Sequence, residues 1–93
     1  MRITLKTFAD YRVITGIRET VLDVDEGVTM GALLERLTSA YPKLKDAMFD
    51  ESGTLRDYII LLVNGRKIEF IGGMGTHLRE GDVIALFPPV AGG

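Results

Sequence analysis

The residues best suited to chemistry are the last two, Gly92 and Gly93, which close the run Val83-Ile84-Ala85-Leu86-Phe87-Pro88-Pro89-Val90-Ala91-Gly92-Gly93. Glycine has no side chain to pack and the largest ordering entropy of any residue, so a structural purpose for the pair is hard to find. A chemical purpose follows from their lack of bulk. They would let the end of the chain thread a narrow channel and present the Gly93 carboxylate to another protein's active site. A terminal carboxylate is ionised at neutral pH, with an ordinary pKa of about 3.3–3.7, and donates its acyl group poorly until one oxygen becomes a good leaving group. This reading makes Gly93 the reactive group and Gly92 the threading residue, and expects no catalytic side chain elsewhere.

The residues just before the glycines suit the same purpose. Pro88 and Pro89 cannot donate to a sheet ladder, so they end any strand reaching Phe87. They also hold the chain extended, which lowers the entropy lost when a partner grips it. The remaining chemical candidates read more simply as structure. Gly72-Gly73-Met74-Gly75 lacks the lysine spacing of a phosphate loop, and no helical pattern follows whose N-terminus could hold an anion. His77 is the sole histidine of a chain without cysteine, a poor basis for a metal site. Glu80-Gly81-Asp82 has the composition of a turn.

Composition narrows the function classes. The chain has 93 residues, 46% of them hydrophobic and 26% charged, which fits a single folded domain over residues 1–93 with a flexible tail over about residues 88–93. Eleven basic against thirteen acidic side chains leave a net charge of −2, so no basic patch argues for nucleic acid. The longest apolar run, Tyr58 to Val63, is too short for a bilayer, and Met1 to Lys6 alternates like a strand, with no signal-peptide block. A cytoplasmic location, with no membrane or nucleic-acid partner, is the expectation.

These residues need a scaffold. Ile3 and Leu5 alternate with Arg2, Thr4 and Lys6, the period of a half-buried strand. Phe8 to Gly16 reads as a looser segment and Glu19 to Val24 as a second strand, paired antiparallel to the first. Thr29 can cap a helix whose apolar stripe is Met30, Leu33, Leu34, Leu37 and Tyr41. Burying those five would contribute about 7–15 kcal/mol gross. Pro42 ends that helix, and Lys43 to Met48 adds a short helical turn. Tyr58 to Val63, apolar at every position, reads as a central strand. Asn64-Gly65 then suits a type I′ hairpin returning along Arg66 to Phe70. Val83 to Phe87 is the last strand, parallel to the first at the centre of the sheet. The class is α+β: a mixed sheet with one main helix across one face.

The segment from Leu78 to Gly93, with its Phe87-Pro88-Pro89-Val90-Ala91-Gly92-Gly93 ending, resembles the end of the small, sulfur-carrier subunit of molybdopterin synthase, the MoaD/ThiS family, in its archaeal-type branch. Phe8-Ala9 with Arg12, and Val63-Asn64-Gly65, resemble that family too. The resemblance implies a ubiquitin-like β-grasp. It implies that a ubiquitin-activating-type enzyme adenylates Gly93 with ATP, and that sulfur then displaces AMP to leave a thiocarboxylate. That sulfur would pass to the pterin precursor in the large synthase subunit. On this account the chain binds no cofactor or metal itself. Partner contacts are expected on the sheet face away from the helix and around the tail's root, at Phe8, Arg12, Phe87, Pro88, Pro89 and Val90. Two alternatives remain with the same ending: a modifier joined to lysines through Gly93, and a sulfur carrier of the thiamine or tRNA type. A plain interaction domain with an incidental Gly-Gly is a third.

Overall fold

The computed structural model describes residues 1–89. Strands β1 (Arg2–Thr7), β2 (Glu19–Asp23), β3 (Ile60–Val63), β4 (Arg66–Lys67) and β5 (Val83–Phe87) form one sheet in the order β2-β1-β5-β3-β4. β1 and β5 pair in parallel and every other pair is antiparallel. Helix α2 (Met30–Ala40) packs across one face, joined by α1 (Ala9–Thr15) and α3 (Pro42–Met48). This is the ubiquitin-like β-grasp that the resemblance implies.

Alternation along the strands decides which residues meet the helices. Ile3 and Leu5 of β1, Leu61 and Val63 of β3, and Ile84 and Leu86 of β5 all point inward and are buried. Met30, Leu33, Leu34 and Leu37 meet them from α2, while Leu44 and Met48 arrive from α3. Tyr41, counted in the α2 stripe from its spacing, caps that helix and is only half-buried; Thr38 takes its place in the buried row. The Thr29 hydroxyl accepts the Ala32 backbone N–H at 3.1 Å, the expected N-cap. Pro42 follows the end of α2 as expected and also opens α3, where a missing N–H costs nothing.

Three expectations are corrected. The segment after Phe8 is a helix, α1: Tyr11 is buried from it, and Gly16 ends it in a left-handed turn (φ +71°), donating to the Arg12 carbonyl at 2.8 Å. The run from Tyr58 enters the sheet only at Ile60, and β3 is fourth of five strands rather than central. The hairpin at Asn64 (φ +51°) and Gly65 (φ +80°) forms, but its return strand lasts two residues. Ile68 then turns into the core through a 3-10 turn, leaving Phe70 in solvent.

Candidate functional site

β5 delivers the chain from the centre of the sheet to Phe87, Pro88 and Pro89. At its end the Phe87 ring lies parallel to that of Phe8, with centroids 4.1 Å apart and planes 7° off parallel. The pairing follows from topology, because parallel registration of β1 with β5 sets Thr7 beside Leu86 and so brings the next residue of each strand together. Arg12, one turn into α1, lies over the other aromatic neighbour: its guanidinium carbon is 5.2 Å from the Phe8 centroid. Its Nε and Nη2 both donate to the Thr7 carbonyl, at 3.0 and 2.8 Å. The Thr7 hydroxyl in turn donates to the Ile17 carbonyl. Arg12, Phe8 and Phe87 thus form one stack tied to the backbone, and stacked aromatic pairs add about 0.5–1.5 kcal/mol beyond burial.

Pro88 is half-buried and Pro89 exposed. Five of the residues expected around the tail's root, Phe8, Arg12, Phe87, Pro88 and Pro89, therefore gather at one end of the sheet. Val90, Gly92 and Gly93 lie outside the described residues.

The sheet face opposite α2 extends this cluster. By register, Thr4 and Lys6 of β1, Val83, Ala85 and Phe87 of β5, and Ile60 and Leu62 of β3 share it. Its centre is apolar and half-buried, while Arg2–Asp23 and Lys6–Glu19 ion pairs, each 3.4 Å long, border it along β2. An apolar centre with a charged rim is the composition found at many protein interfaces. Ile60, Leu62, Val83 and Ala85 were not singled out from the sequence. Their signal was present in β3, where apolar residues at every position leave Ile60 and Leu62 facing outward with no layer to cover them.

The other candidates serve the fold. Asp82 accepts from the Arg79 backbone N–H at 2.8 Å and from the Asn64 amide at 2.9 Å, which locks the turn before β5 to the β3–β4 hairpin. Glu80 accepts the Arg2 backbone N–H. His77 donates from Nδ1 to the Gly27 carbonyl at 2.8 Å and bridges to Thr29, tying its loop to the start of α2. The glycine loop sits against α2, so a Cβ at Gly31 would stand 3.3 Å from the Met74 carbonyl oxygen. No cluster of three metal-ligating side chains occurs among the described residues, and none of their helices is long and apolar enough to cross a membrane. Two side chains have shifted acidities. Burial and the nearby Asp10 carboxylate push Tyr11 up to about 12, and its hydroxyl has no hydrogen-bond partner. Hydrogen bonds from the Ser52 hydroxyl and the Thr54 backbone lower Asp50 in its exposed loop.

Known proteins share this architecture. The model of the ThiS family matches residues 5–93. Small archaeal modifier protein 1 of Haloferax volcanii is 40% identical over 88 residues, covering 95% of this chain and 97% of its own. Its crystal structure superposes with a TM-score of 0.84 at 38% identity, with both chains covered in full. The sulfur carrier protein CysO of Mycobacterium tuberculosis is 30% identical over 95 residues, again with both covered in full. The molybdopterin synthase sulfur carrier subunit of Homo sapiens is 30% identical over 86 residues, or 92% of this chain and 88% of its own.

Proposed function

Since the chain belongs to the ThiS family of sulfur carriers and ubiquitin-like small modifiers, we propose that it is an acyl carrier whose Gly93 carboxylate is activated and charged with sulfur by partner enzymes. The observation that carries this reading is the surface leading to the tail. An apolar sheet face ends in the Phe8–Phe87 stack, at the point where Pro88 and Pro89 hand the chain on to residues 90–93.

A carboxylate oxygen of Gly93 attacks the α-phosphorus of ATP in a ubiquitin-activating-type enzyme, forming an acyl adenylate and releasing pyrophosphate. A sulfide-level nucleophile then attacks the carbonyl carbon and expels AMP, leaving a thiocarboxylate. The ATP site and the catalytic groups belong to the enzyme. This chain supplies the acyl group, the surface that docks it, and glycines small enough for a tight passage. The Phe-Pro-Pro-Val ending and the 30% identity to the human subunit support delivery of that sulfur to a pterin in a large synthase subunit, for a molybdenum or tungsten cofactor. Intact mass spectrometry after incubation with the cognate activating enzyme, Mg-ATP and a sulfur source tests the charging step. One oxygen-to-sulfur exchange at the C-terminus is expected, and no change in mass rejects it.

The 40% identity to a small archaeal modifier favours a second use of the same activated end, an isopeptide bond from Gly93 to lysines of other proteins. Denaturing blots of tagged chain from native cells separate the two uses. A ladder of conjugates marks the modifier, and a single free species marks the carrier.

A further inference from the structure

Tyr58 is the side chain that the fold explains least. It stands just ahead of β3 with φ +67°, a left-handed backbone that a bulky residue adopts only under strain. The turn it occupies lets Ile59 swing into the core while Tyr58 itself stays 86% exposed. Glycine or asparagine would make that turn without strain. Packing does not call for an aromatic ring there, and the described structure gives the Tyr58 hydroxyl no hydrogen-bond partner.

Its location supplies a reason. Ile60 pairs with Phe87 on the last rung between β3 and β5. Tyr58 lies two residues ahead of that rung, before β3 begins, and Pro89 two residues past it, after β5 ends. Any enzyme that encloses residues 90–93 must close over the surface around Pro89, at the end of the sheet where Tyr58 also stands. An exposed tyrosine offers a large contact area for little conformational entropy, which is why such residues anchor interfaces.

We infer that Tyr58 is a docking anchor for the enzyme that activates the tail, entering an apolar recess on that enzyme and so setting how tightly the carrier is held. By sheet order Phe8 follows the strand on one flank of β5 and Tyr58 precedes the strand on the other. The inference rests on the proposed function, since it takes an adenylating enzyme as the occupant.

The test is carrier-dependent ATP–pyrophosphate exchange with the cognate activating enzyme and Mg-ATP, using wild type, Tyr58→Ala, Tyr58→Gly and Tyr58→Phe. Tyr58→Ala and Tyr58→Gly are expected to raise the KM for the carrier about tenfold, the effect of losing an interface anchor. Their kcat should stay within about twofold of wild type, since only binding is lost. Tyr58→Phe keeps the ring and a KM close to wild type. Thermal melts separate docking from backbone strain: Tyr58→Gly should melt no lower than Tyr58→Ala, because glycine accepts the positive φ. Wild-type KM values for both Tyr58→Ala and Tyr58→Gly would overturn the inference. So would a KM that Tyr58→Gly restores along with stability, which would leave the position a backbone role alone. If the wild-type chain supports no exchange at all, the proposed function fails and the anchor with it, an outcome distinct from an active wild type with indifferent variants.

Discussion

The two faces of the sheet are made from the same strands, and alternate residues are sent to each. On the inner face Leu5, Leu61, Ile84 and Leu86 are wholly buried beneath α2 and α3. On the outer face Ile60, Leu62, Val83 and Ala85 have the same apolar character but no covering layer, and remain half-buried. Hydropathy alone does not distinguish them. Only the presence of helices on one side does: the inner set builds the core, and the outer set is left for the recognition role proposed above. The C-terminal tail then issues from the strand, β5, that contributes to both faces at the centre of the sheet.

The sharpest test of that division is a pair of neighbours on β5. Leu86→Ala on the inner face should lower unfolding free energy by about 2–5 kcal/mol, the range for emptying a fully buried leucine site, as read from urea titration. Ala85→Glu, one residue away on the outer face, should change stability by less than about 1 kcal/mol. Its register partner is Lys6, so the new carboxylate gains a cation opposite. Affinity for the activating enzyme should nevertheless fall about tenfold or more, because a charge is driven into an apolar interface. Equal losses of stability at both sites would mean that the faces are not functionally distinct.

Tyr11 probes the inner side in another way. Its hydroxyl is the only buried side-chain polar atom without a hydrogen bond among the described residues. Its acidity is pushed up to about 12, chiefly by burial. A raised pKa means the folded state holds the proton more tightly than the unfolded chain. The contribution is therefore complete below about pH 10 and is lost as pH rises toward 12, by up to about 2–3 kcal/mol. Tyr11→Phe removes that alkaline loss, so the difference in stability between wild type and variant should be constant below pH 10 and grow above it in denaturant titrations. At neutral pH the same variant should be as stable as wild type or about 1 kcal/mol more stable, since it deletes an unpaired buried group. A Tyr11→Phe variant that is clearly less stable at neutral pH would show that the hydroxyl has a partner after all.

Much of this is legible in the amino-acid sequence. The period of β1, the Thr29 cap, the stripe of α2 and the parallel pairing of the first and last strands all follow from spacing, because each is fixed by local periodicity plus one crossover. The cluster of Phe8, Arg12 and Phe87 was named by resemblance, but its stacking required the β1–β5 register. Three features stayed hidden. Helix α1 is only seven residues long, so Tyr11 and Ile14 at helical spacing and the terminal Gly16 give too short a signal to outweigh a loop. The return strand after Asn64-Gly65 stops because Ile68 has somewhere better to go, into the core, which no local pattern records. The uniform apolarity of Ile60 to Val63 is the signature of a fully buried strand, and only topology reveals that half of it faces outward.

The ion pairs bordering the outer face give the finest test of its separation from the core. Lys6–Glu19 spans 3.4 Å with both side chains well exposed, a setting in which solvent screening leaves about 0–1 kcal/mol at most. Glu19→Gln should therefore shift the urea midpoint by less than about 0.5 kcal/mol in equivalent stability. Its consequence belongs to recognition. With its carboxylate partner gone, Lys6 presents an uncompensated charge beside Ala85, and a rim charge acts through long-range attraction or repulsion rather than through packing. The rate of association with the activating enzyme should change with Glu19→Gln while the dissociation rate stays constant, and the difference should fade as salt shortens the screening length. Stopped-flow association at low and high ionic strength measures this directly. A dissociation rate that moves instead would place Lys6 inside the interface rather than on its rim, and would widen the recognition surface as far as β2.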